Sequence, residues 1–393
     1  MHLLSLALLA LALLALASTT VESLSAAAMS AYTNTPLTRL LTTTKEACDL
    51  LTPMVAAFYT CLNSETSKLK ADASVFTIAD GMVQHLLIDH LFCGGKFKNI
   101  VGEEDDTHVN IASKPFTVDD LTVPDEFCDL IEGVRDSMSK LSATIASDEM
   151  YKKLTIFIDP IDGTREFATN LGEECSICIG FSDERGRPVA GIVYRPLTAV
   201  PTWAAGASSE HCVLGHLNKS TTDNTKSMLT SRSGISKFVA ALIAELGFDR
   251  IPAGGAGNKM LLLLEGKGGA YIQDRGVSRW DTAGAQAVIE AYGGTLSKLS
   301  TFAADKALSS YTYLKSPVNL DFEPNCAILT PYNAADKKAV KKGEEVLASS
   351  VEMVKAYSNL CGILALSRPC MAELEAIHAA IQRAASTCAA SYD

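Results

Sequence analysis

Apolar positions along the chain change period several times, and each change marks an element. Residues 3–17 form an aliphatic run broken only by Ser5. Further in, Met82, Val83, Leu86, Leu87 and Leu91 recur at helical spacing behind Thr77, which predicts a helix from about residue 78 with Thr77 as its N-cap. Phe127, Leu130, Ile131, Val134, Met138 and Leu141 repeat that spacing and predict a long amphipathic helix over 118–145, on an insertion. The period then shortens. Leu154–Ile158 reads as a strand that Pro160 should stop at Asp159, and runs 174–182 and 188–194 read as a hairpin around Asp183–Arg187. A Gly-, Ser-, Thr- and Asn-rich stretch over 203–225 places a junction near residue 200. Beyond it the pattern predicts strand 227–231, helices 235–246 and 258–266, strand 269–273 and a helix 282–292 ended by Gly293-Gly294. Residues 334–393 are Ala-rich and helical in pattern.

With 393 residues the chain has room for two domains, each with its own core. The segments are 1–28, a signal or targeting segment; 30–200, an N-terminal α+β domain that carries the metal-binding carboxylates discussed below; 201–333, a C-terminal α/β domain; and 334–393, a helical C-terminal extension. The run 3–17 is short for a membrane span of about 20 residues, and Ala26-Ala27-Ala28 suits signal peptidase. A cleaved signal peptide is the reading, which implies the secretory pathway or an organelle; a start at Met29 would instead leave the protein cytoplasmic. A net charge of −11 disfavours general nucleic-acid binding. Eleven cysteines include only one C-x-x-C, Cys175 and Cys178, on a predicted strand whose geometry sends them to opposite faces. Buried free thiols are expected, not a zinc site or a disulfide framework.

Common signatures fail letter by letter. Gly255-Ala256-Gly257 is followed by Asn258-Lys259-Met260, so G-x-G-x-x-G is incomplete, and there is no P-loop, H-E-x-x-H or G-x-S-x-G. What remains is a set of carboxylates at the ends of regular elements: Gly102-Glu103-Glu104, Asp159-Pro160-Ile161-Asp162-Gly163-Thr164 and Trp280-Asp281-Thr282. Singly they have plain structural readings, with Asp281 an N-cap, Asp162-Gly163 a turn and Asp80 a first-turn residue. Together they repel unless cations neutralise them, and an all-oxygen set selects a hard ion such as Mg²⁺. The N–H groups of Gly163 and Thr164 at a helix start would seat a phosphate beside such ions. Metal ions and an anion seat side by side point to phosphoester hydrolysis.

The three motifs, in this order and at long spacing, resemble the lithium-sensitive, magnesium-dependent phosphomonoesterases of the inositol monophosphatase superfamily. Gly254-Gly255-Ala256-Gly257-Asn258-Lys259, Glu265-Gly266-Lys267 and Trp280-Asp281-Thr282 resemble most its 3'(2'),5'-bisphosphate nucleotidases. The resemblance covers about residues 70–330. It implies a layered αβαβα sandwich of the sugar-phosphatase type with two subdomains, and removal of the 3'(2')-phosphate of adenosine 3',5'-bisphosphate to give AMP. It implies two or three Mg²⁺ ions held by Glu103, Asp159, the carbonyl of Ile161, Asp162 and Asp281. Thr164 with Asp80 would take a proton from the attacking water, and Gly163, Thr164, Ser231, Gly255 and Lys259 would contact substrate, Lys259 on a phosphate. Gly234 stands where the animal nucleotidases carry a His, which weakens the inference to adenine more than the inference to the chemistry.

Two other readings remain open. An inositol polyphosphate 1-phosphatase or inositol monophosphatase would share every metal ligand and differ in the cations around the substrate. A non-catalytic nucleotide sensor would have no use for both Asp80 and Thr164. The expected partner is a small phosphate ester, with no nucleic acid and no stable membrane span.

Overall fold

Helix and sheet alternate in five layers. The computed structural model describes residues 35–315, apart from 64, 71–74, 211, 233 and 276, together with 357–391 apart from 360. The leader expected over 1–28 and residues 334–356 of the expected extension lie outside the described residues. No helix among the described residues is long and apolar enough to cross a membrane.

Helix α1 (Pro36–Thr60) opens the first layer, with Thr35 accepting the Thr38 N–H and Pro36 in its first turn. Helix α2 (Ile78–His85) follows and passes into a π-helical turn at Leu86–Leu91. Strand β1 is Asn99–Gly102. The third helix, α3, spans Cys128–Thr144 and not the expected 118–145. Val118 pairs with Leu121 around Asp119, whose φ is +52°, so the apolar residues ahead of Pro124 belong to a tight turn between short strands.

These helices cover one face of a six-stranded sheet. Its further strands are β2 (Thr155–Asp162), β3 (Ser176–Ser182), β4 (Pro188–Arg195), β5 (Thr202–Ala207) and β6 (Cys212–His216), in the order β6-β5-β4-β3-β2-β1. Only the β1–β2 pair is parallel. The hairpin β3–β4 is the one expected from the runs 174–182 and 188–194 around Asp183–Arg187. Strand β2 does not stop at Asp159. Pairing with β3 shifts between Asp159 and Asp162, and that irregularity tolerates Pro160, which lacks a ladder N–H. The sheet also runs past residue 200, since β5 and β6 complete it.

The second sheet contains β7 (Ser227–Ser231), β8 (Asp249–Ala253), β9 (Ala270–Gln273), β10 (Thr295–Lys298) and β11 (Ile363–Leu366), in the order β8-β7-β9-β11-β10. Strand β11 is antiparallel to both neighbours and lies inside the sheet. Within the expected helical extension, therefore, only Leu374–Thr387 among the described residues forms an α-helix, and Ile-Leu-Ala-Leu at 363–366 supplies a buried strand. Burial on both faces removes the alternation by which a strand is recognised.

Between the sheets lie α5 (Ala256–Leu264) and α6 (Arg279–Ala291), while α4 (Lys237–Leu246) and α7 (Leu374–Thr387) cover the outer face of the second sheet. Three apolar cores fill the gaps: helices against the first sheet, the α5–α6 layer between the sheets, and the second sheet against its outer helices. Paired Gly180 and Gly191 let Gly284 of α6 lie directly on the first sheet, where a Cβ on Gly180 would stand 2.4 Å from the Gly284 nitrogen. That close approach brings the first turn of α6 to the end of β2. The architecture is the αβαβα sandwich. Each of the ten described cysteines is a free thiol, with Cys175 and Cys178 buried; Cys326 lies outside the described residues.

Candidate active site

Two helices begin in the same way at this site. Asp80 occupies the third position of α2 and accepts the N–H (2.8 Å) and hydroxyl (2.6 Å) of Thr77 on Oδ2. Asp281 occupies the third position of α6 and accepts the Ser278 N–H at 2.6 Å on Oδ2. Ser278 is thus the N-cap, and Asp281 closes a capping box with it. In both residues one oxygen fixes the side chain and the other is left to face the site.

Strand β2 supplies the centre. Asp159, Asp162 and Asp281 each present an oxygen, all within 4.8 Å of one another, an arrangement able to hold a metal ion. Burial raises the pKa of Asp159 well above the carboxylate range, and the charges of Glu103, Asp162 and Asp281 push the same way. Burial among protein atoms, then Asp162 and Glu103, raise Asp281 likewise. Asp159 Oδ1 is buried and has no hydrogen-bond partner among the described residues. An orphaned buried oxygen beside two further carboxylates fits a hard cation, which would supply both the opposite charge and a bond to that oxygen.

Asp162 is tied from the opposite side. Its Oδ1 accepts the Ala256 N–H at 2.8 Å, and its Oδ2 accepts the Gly257 N–H at 2.6 Å and the Ser176 hydroxyl at 3.0 Å. The first turn of α5 therefore rests on this carboxylate. Gly255, at φ +58°, makes the approach possible, because a Cβ there would stand 2.8 Å from Asp162 Oδ2 and 2.8 Å from the Glu174 carbonyl.

Glu103 follows β1, and its N–H donates to the Ile158 carbonyl at 3.0 Å, which sets it beside the end of β2. Its carboxylate lies 3.3 Å from Lys70 Nζ, and the same ammonium reaches Glu104. Despite desolvation, Glu103 and Glu104 hold Lys70 above its ordinary value. Glu104 is pushed up to about 8, by burial first and then by Glu103.

Thr164 follows Gly163 at the turn out of β2. Its hydroxyl lies 2.9 Å from Asp80 Oδ1 and 2.9 Å from the Ile161 carbonyl, two acceptors for one proton. Burial raises Asp80 to about 6, against the hydrogen bond from Thr77. Near neutral pH Asp80 is therefore largely a carboxylate able to accept a proton.

Of the expected substrate contacts, Gly163 and Gly255 face each other, a Cβ on the former lying 3.5 Å from the Cα of the latter. Ser231 ends β7 beside Ala253, and its carbonyl accepts Arg250 Nη2 at 3.1 Å. Lys259 is elsewhere engaged. It is 5% exposed, its ammonium donates to the carbonyls of Gly255 (2.6 Å) and Ala253 (3.3 Å) and sits 5.0 Å from the Tyr271 ring centre. Among the described residues it forms no ion pair. Lys70, Ser176 and the ion pair of Glu174 with Arg232 carried no signal in the sequence, because each depends on a contact between distant segments.

A model of the inositol monophosphatase family matches residues 37–318, and the chain belongs to that family. More narrowly, rat 3'(2'),5'-bisphosphate nucleotidase 1 is 30% identical over 57% of this chain and 71% of its own length. Inositol monophosphatase 3 of Xenopus laevis is 31% identical over 46% of this chain and 49% of its own length. The Golgi-resident adenosine 3',5'-bisphosphate 3'-phosphatase of Rattus norvegicus is 28% identical over 38% and 43%. The human and mouse nucleotidases are each matched over 50% of their length. Among solved structures, the extragenic suppressor protein suhB from Bartonella henselae covers 88% of this chain and 99% of that one at 11% identity, with a TM-score of 0.50, a likeness of fold.

Proposed function

We propose that this protein is a Mg²⁺-dependent phosphomonoesterase that removes the 3'-phosphate of adenosine 3',5'-bisphosphate to give AMP. The observation that carries the reading is the convergence of Asp159, Asp162 and Asp281 around an orphaned carboxylate oxygen, next to the Thr164–Asp80 hydrogen bond. Similarity to the rat bisphosphate nucleotidase supports the substrate.

Glu103, Asp159 and the Ile161 carbonyl would hold one Mg²⁺ ion, and Asp159, Asp162 and Asp281 a second. When bound, Mg²⁺ supplies positive charge for phosphate oxygens and makes water a better nucleophile at neutral pH. The chain's own part is proton handling and placement. Because the Thr164 hydroxyl donates to Asp80 Oδ1, a lone pair on Thr164 Oγ1 is left to accept the proton of an incoming water while Asp80 receives the hydroxyl proton. The N–H groups of Gly163 and Thr164 lie beside this hydroxyl and would take phosphate oxygens. Ser231 and Gly255 would flank the nucleoside. Lithium sensitivity, carried by the family resemblance, would come from Li⁺ competing at the second ion site. The Golgi-resident relative supports a secretory-pathway location, which goes with the signal peptide expected over 1–28.

A second reading, an inositol phosphate phosphatase, is favoured by the similarity to inositol monophosphatase 3 and by Gly234, which offers no side chain to an adenine. Phosphate release from adenosine 3',5'-bisphosphate and from inositol 1-phosphate, with Mg²⁺ and with excess chelator, separates the readings. Nucleotide turnover lost in chelator and in Asp162→Asn supports the first. Full activity in chelator removes the metal reading, and turnover of the inositol ester alone removes the nucleotide.

A further inference from the structure

Glu174 and Arg232 clasp the two sheets together beside the acidic centre. Glu174 ends the turn Gly172–Glu174 that leads into β3, and Arg232 directly follows β7. The guanidinium meets the carboxylate as a fork, with Nε donating to Oε2 at 2.8 Å and Nη2 to Oε1. Oε2 also accepts the Gly254 N–H at 2.5 Å. The pair is close to the chemistry: a Cβ on Gly255 would touch both the Glu174 carbonyl and Asp162 Oδ2.

The charges around Gly254 and Gly255 are unequal. Asp162, Glu166 and Glu174 bring three carboxylates, and Glu166 packs so tightly that a Cβ on Gly254 would stand 2.2 Å from its Cγ. Against them stand Lys259 and Arg232. Lys259 is buried and spends two of its three N–H donors on backbone carbonyls, which leaves at most one for a ligand. The Arg232 side chain keeps 41% of its exposure, and Glu174 only 14%. Two residues on, a Cβ at Gly234 would meet no heavy atom of the described residues within 4 Å, which leaves room there. A guanidinium takes phosphate with the same planar fork that it offers a carboxylate.

We propose that Arg232 recognises a second phosphate on the substrate and that Glu174 is its internal competitor, so that the exchange of Glu174 for phosphate sets the preference between mono- and bisphosphate esters. The inference deepens the phosphatase reading and rests on it for the position of the first phosphate. A monophosphate leaves the clasp closed. A bisphosphate draws the fork from Glu174, whose carboxylate keeps the Gly254 N–H as a partner. Glu174→Gln retains an acceptor for that N–H and weakens only the hold on Arg232.

A mere tether between sheets and a competitor make opposite demands. If the pair only tethers, Glu174→Gln and Arg232→Ala break one contact and act in one direction. If Glu174 competes, the two act in opposite directions, on the bisphosphate alone. Affinities for adenosine 3',5'-bisphosphate and adenosine 3'-monophosphate are read by titration calorimetry with Ca²⁺ in place of Mg²⁺, and turnover is read separately with Mg²⁺. Glu174→Gln should tighten the bisphosphate roughly tenfold relative to the monophosphate, and Arg232→Ala should weaken it roughly tenfold to hundredfold. The double variant should behave as Arg232→Ala, and Arg232→Lys, which keeps charge without the fork, should lose most of the preference.

Loss in both single variants, equal changes on both nucleotides, or no binding of the bisphosphate by the native protein overturns the proposal. Turnover that persists in those cases leaves the phosphatase reading standing. The expected affinity pattern without phosphate release keeps the inference and removes that reading. Thermal melting of Arg232→Ala identifies loss by unfolding, in which case the Glu174→Gln and Arg232→Lys pair decides.

Discussion

The Thr164 hydroxyl donates to Asp80 Oδ1 at 2.9 Å across 84 residues of chain. Thr164 leaves strand β2 of the first sheet and Asp80 opens a helix packed on that sheet, so the contact exists only when both layers have docked. It joins a poor base to a buried carboxylate, and neither alone would handle a proton well.

Removing either end of that pair should therefore slow turnover without preventing folding. Thr164→Val and Asp80→Asn should each lower kcat by about 10²- to 10⁴-fold, the usual range for positioned acid–base groups, with KM changed far less. Thr164→Ser, which keeps the hydroxyl, should restore most of the rate. Steady-state kinetics on the three variants checks this, and an unaffected kcat in Thr164→Val would remove the proton route.

The crowded carboxylates set a pH dependence for the metal-free protein. Asp159, Asp281, Asp80 (about 6) and Glu104 (about 8) all titrate higher in the folded chain than a free carboxyl does, near 4. Between those limits these four groups bind more protons in the folded state than in the unfolded one, so their contribution to stability falls as pH rises from about 4 to about 8. Against them stands the opposite but smaller set of His85 and His90, which burial holds below the ordinary imidazole value. Melting in excess chelator should move to lower temperature across that window. Saturating Mg²⁺ should flatten the slope, and a melting temperature that rises with pH in chelator would contradict the charge crowding.

How much of this was legible in the sequence varied with the kind of signal. Helix α3 announced itself through Ile131, Val134 and Met138, which line its one buried face, and the hairpin through two apolar runs on either side of the polar turn Asp183–Arg187. Strand β11 did not, because Ile363–Leu366 is buried on both faces and carries no period. Pro160 was a misleading stop, since the register shift that tolerates it arises only when β2 pairs with β3. The acidic motifs were readable as a set because like charges at element ends need a shared explanation. Their neighbours Lys70, Glu174 and Arg232 were not, since an ion pair between distant segments leaves no local pattern.

Gly255 and Gly247 can be compared, with ψ at 138° in the first and 30° in the second. Both have positive φ, +58° and +63°, but a Cβ at Gly247 meets nothing within 4 Å, whereas one at Gly255 meets Asp162 and the Glu174 carbonyl at 2.8 Å. Gly247→Ala should cost about 1–2 kcal/mol from the left-handed conformation alone. Gly255→Ala should cost more and should also weaken Mg²⁺ binding, because Asp162 or the first turn of α5 must move. Denaturant unfolding with and without Mg²⁺ separates the two effects, and equal Mg²⁺ stabilisation in both variants would show that Gly255 does not shape the ion site.

Lys259 should behave as part of the scaffold. Its ammonium holds the carbonyls of Ala253 and Gly255 on either side of the glycine pair, and its stem is enclosed. Burial keeps its pKa below the ordinary lysine value, while Asp162, Glu166 and Glu174 oppose that shift without any of them reaching bonding distance. Lys259→Met preserves the apolar stem and deletes the donor, leaving two carbonyls with one partner fewer at a cost of about 1–3 kcal/mol. The loop that carries Gly255 should loosen, and because Asp162 rests on the N–H groups following it, catalysis should fall for every ester in equal proportion. Measured on adenosine 3',5'-bisphosphate and adenosine 3'-monophosphate, kcat/KM should drop by the same factor, in contrast to Arg232→Ala. A selective loss on the bisphosphate would instead put the Lys259 ammonium on the second phosphate, through the one donor that the two carbonyls leave over.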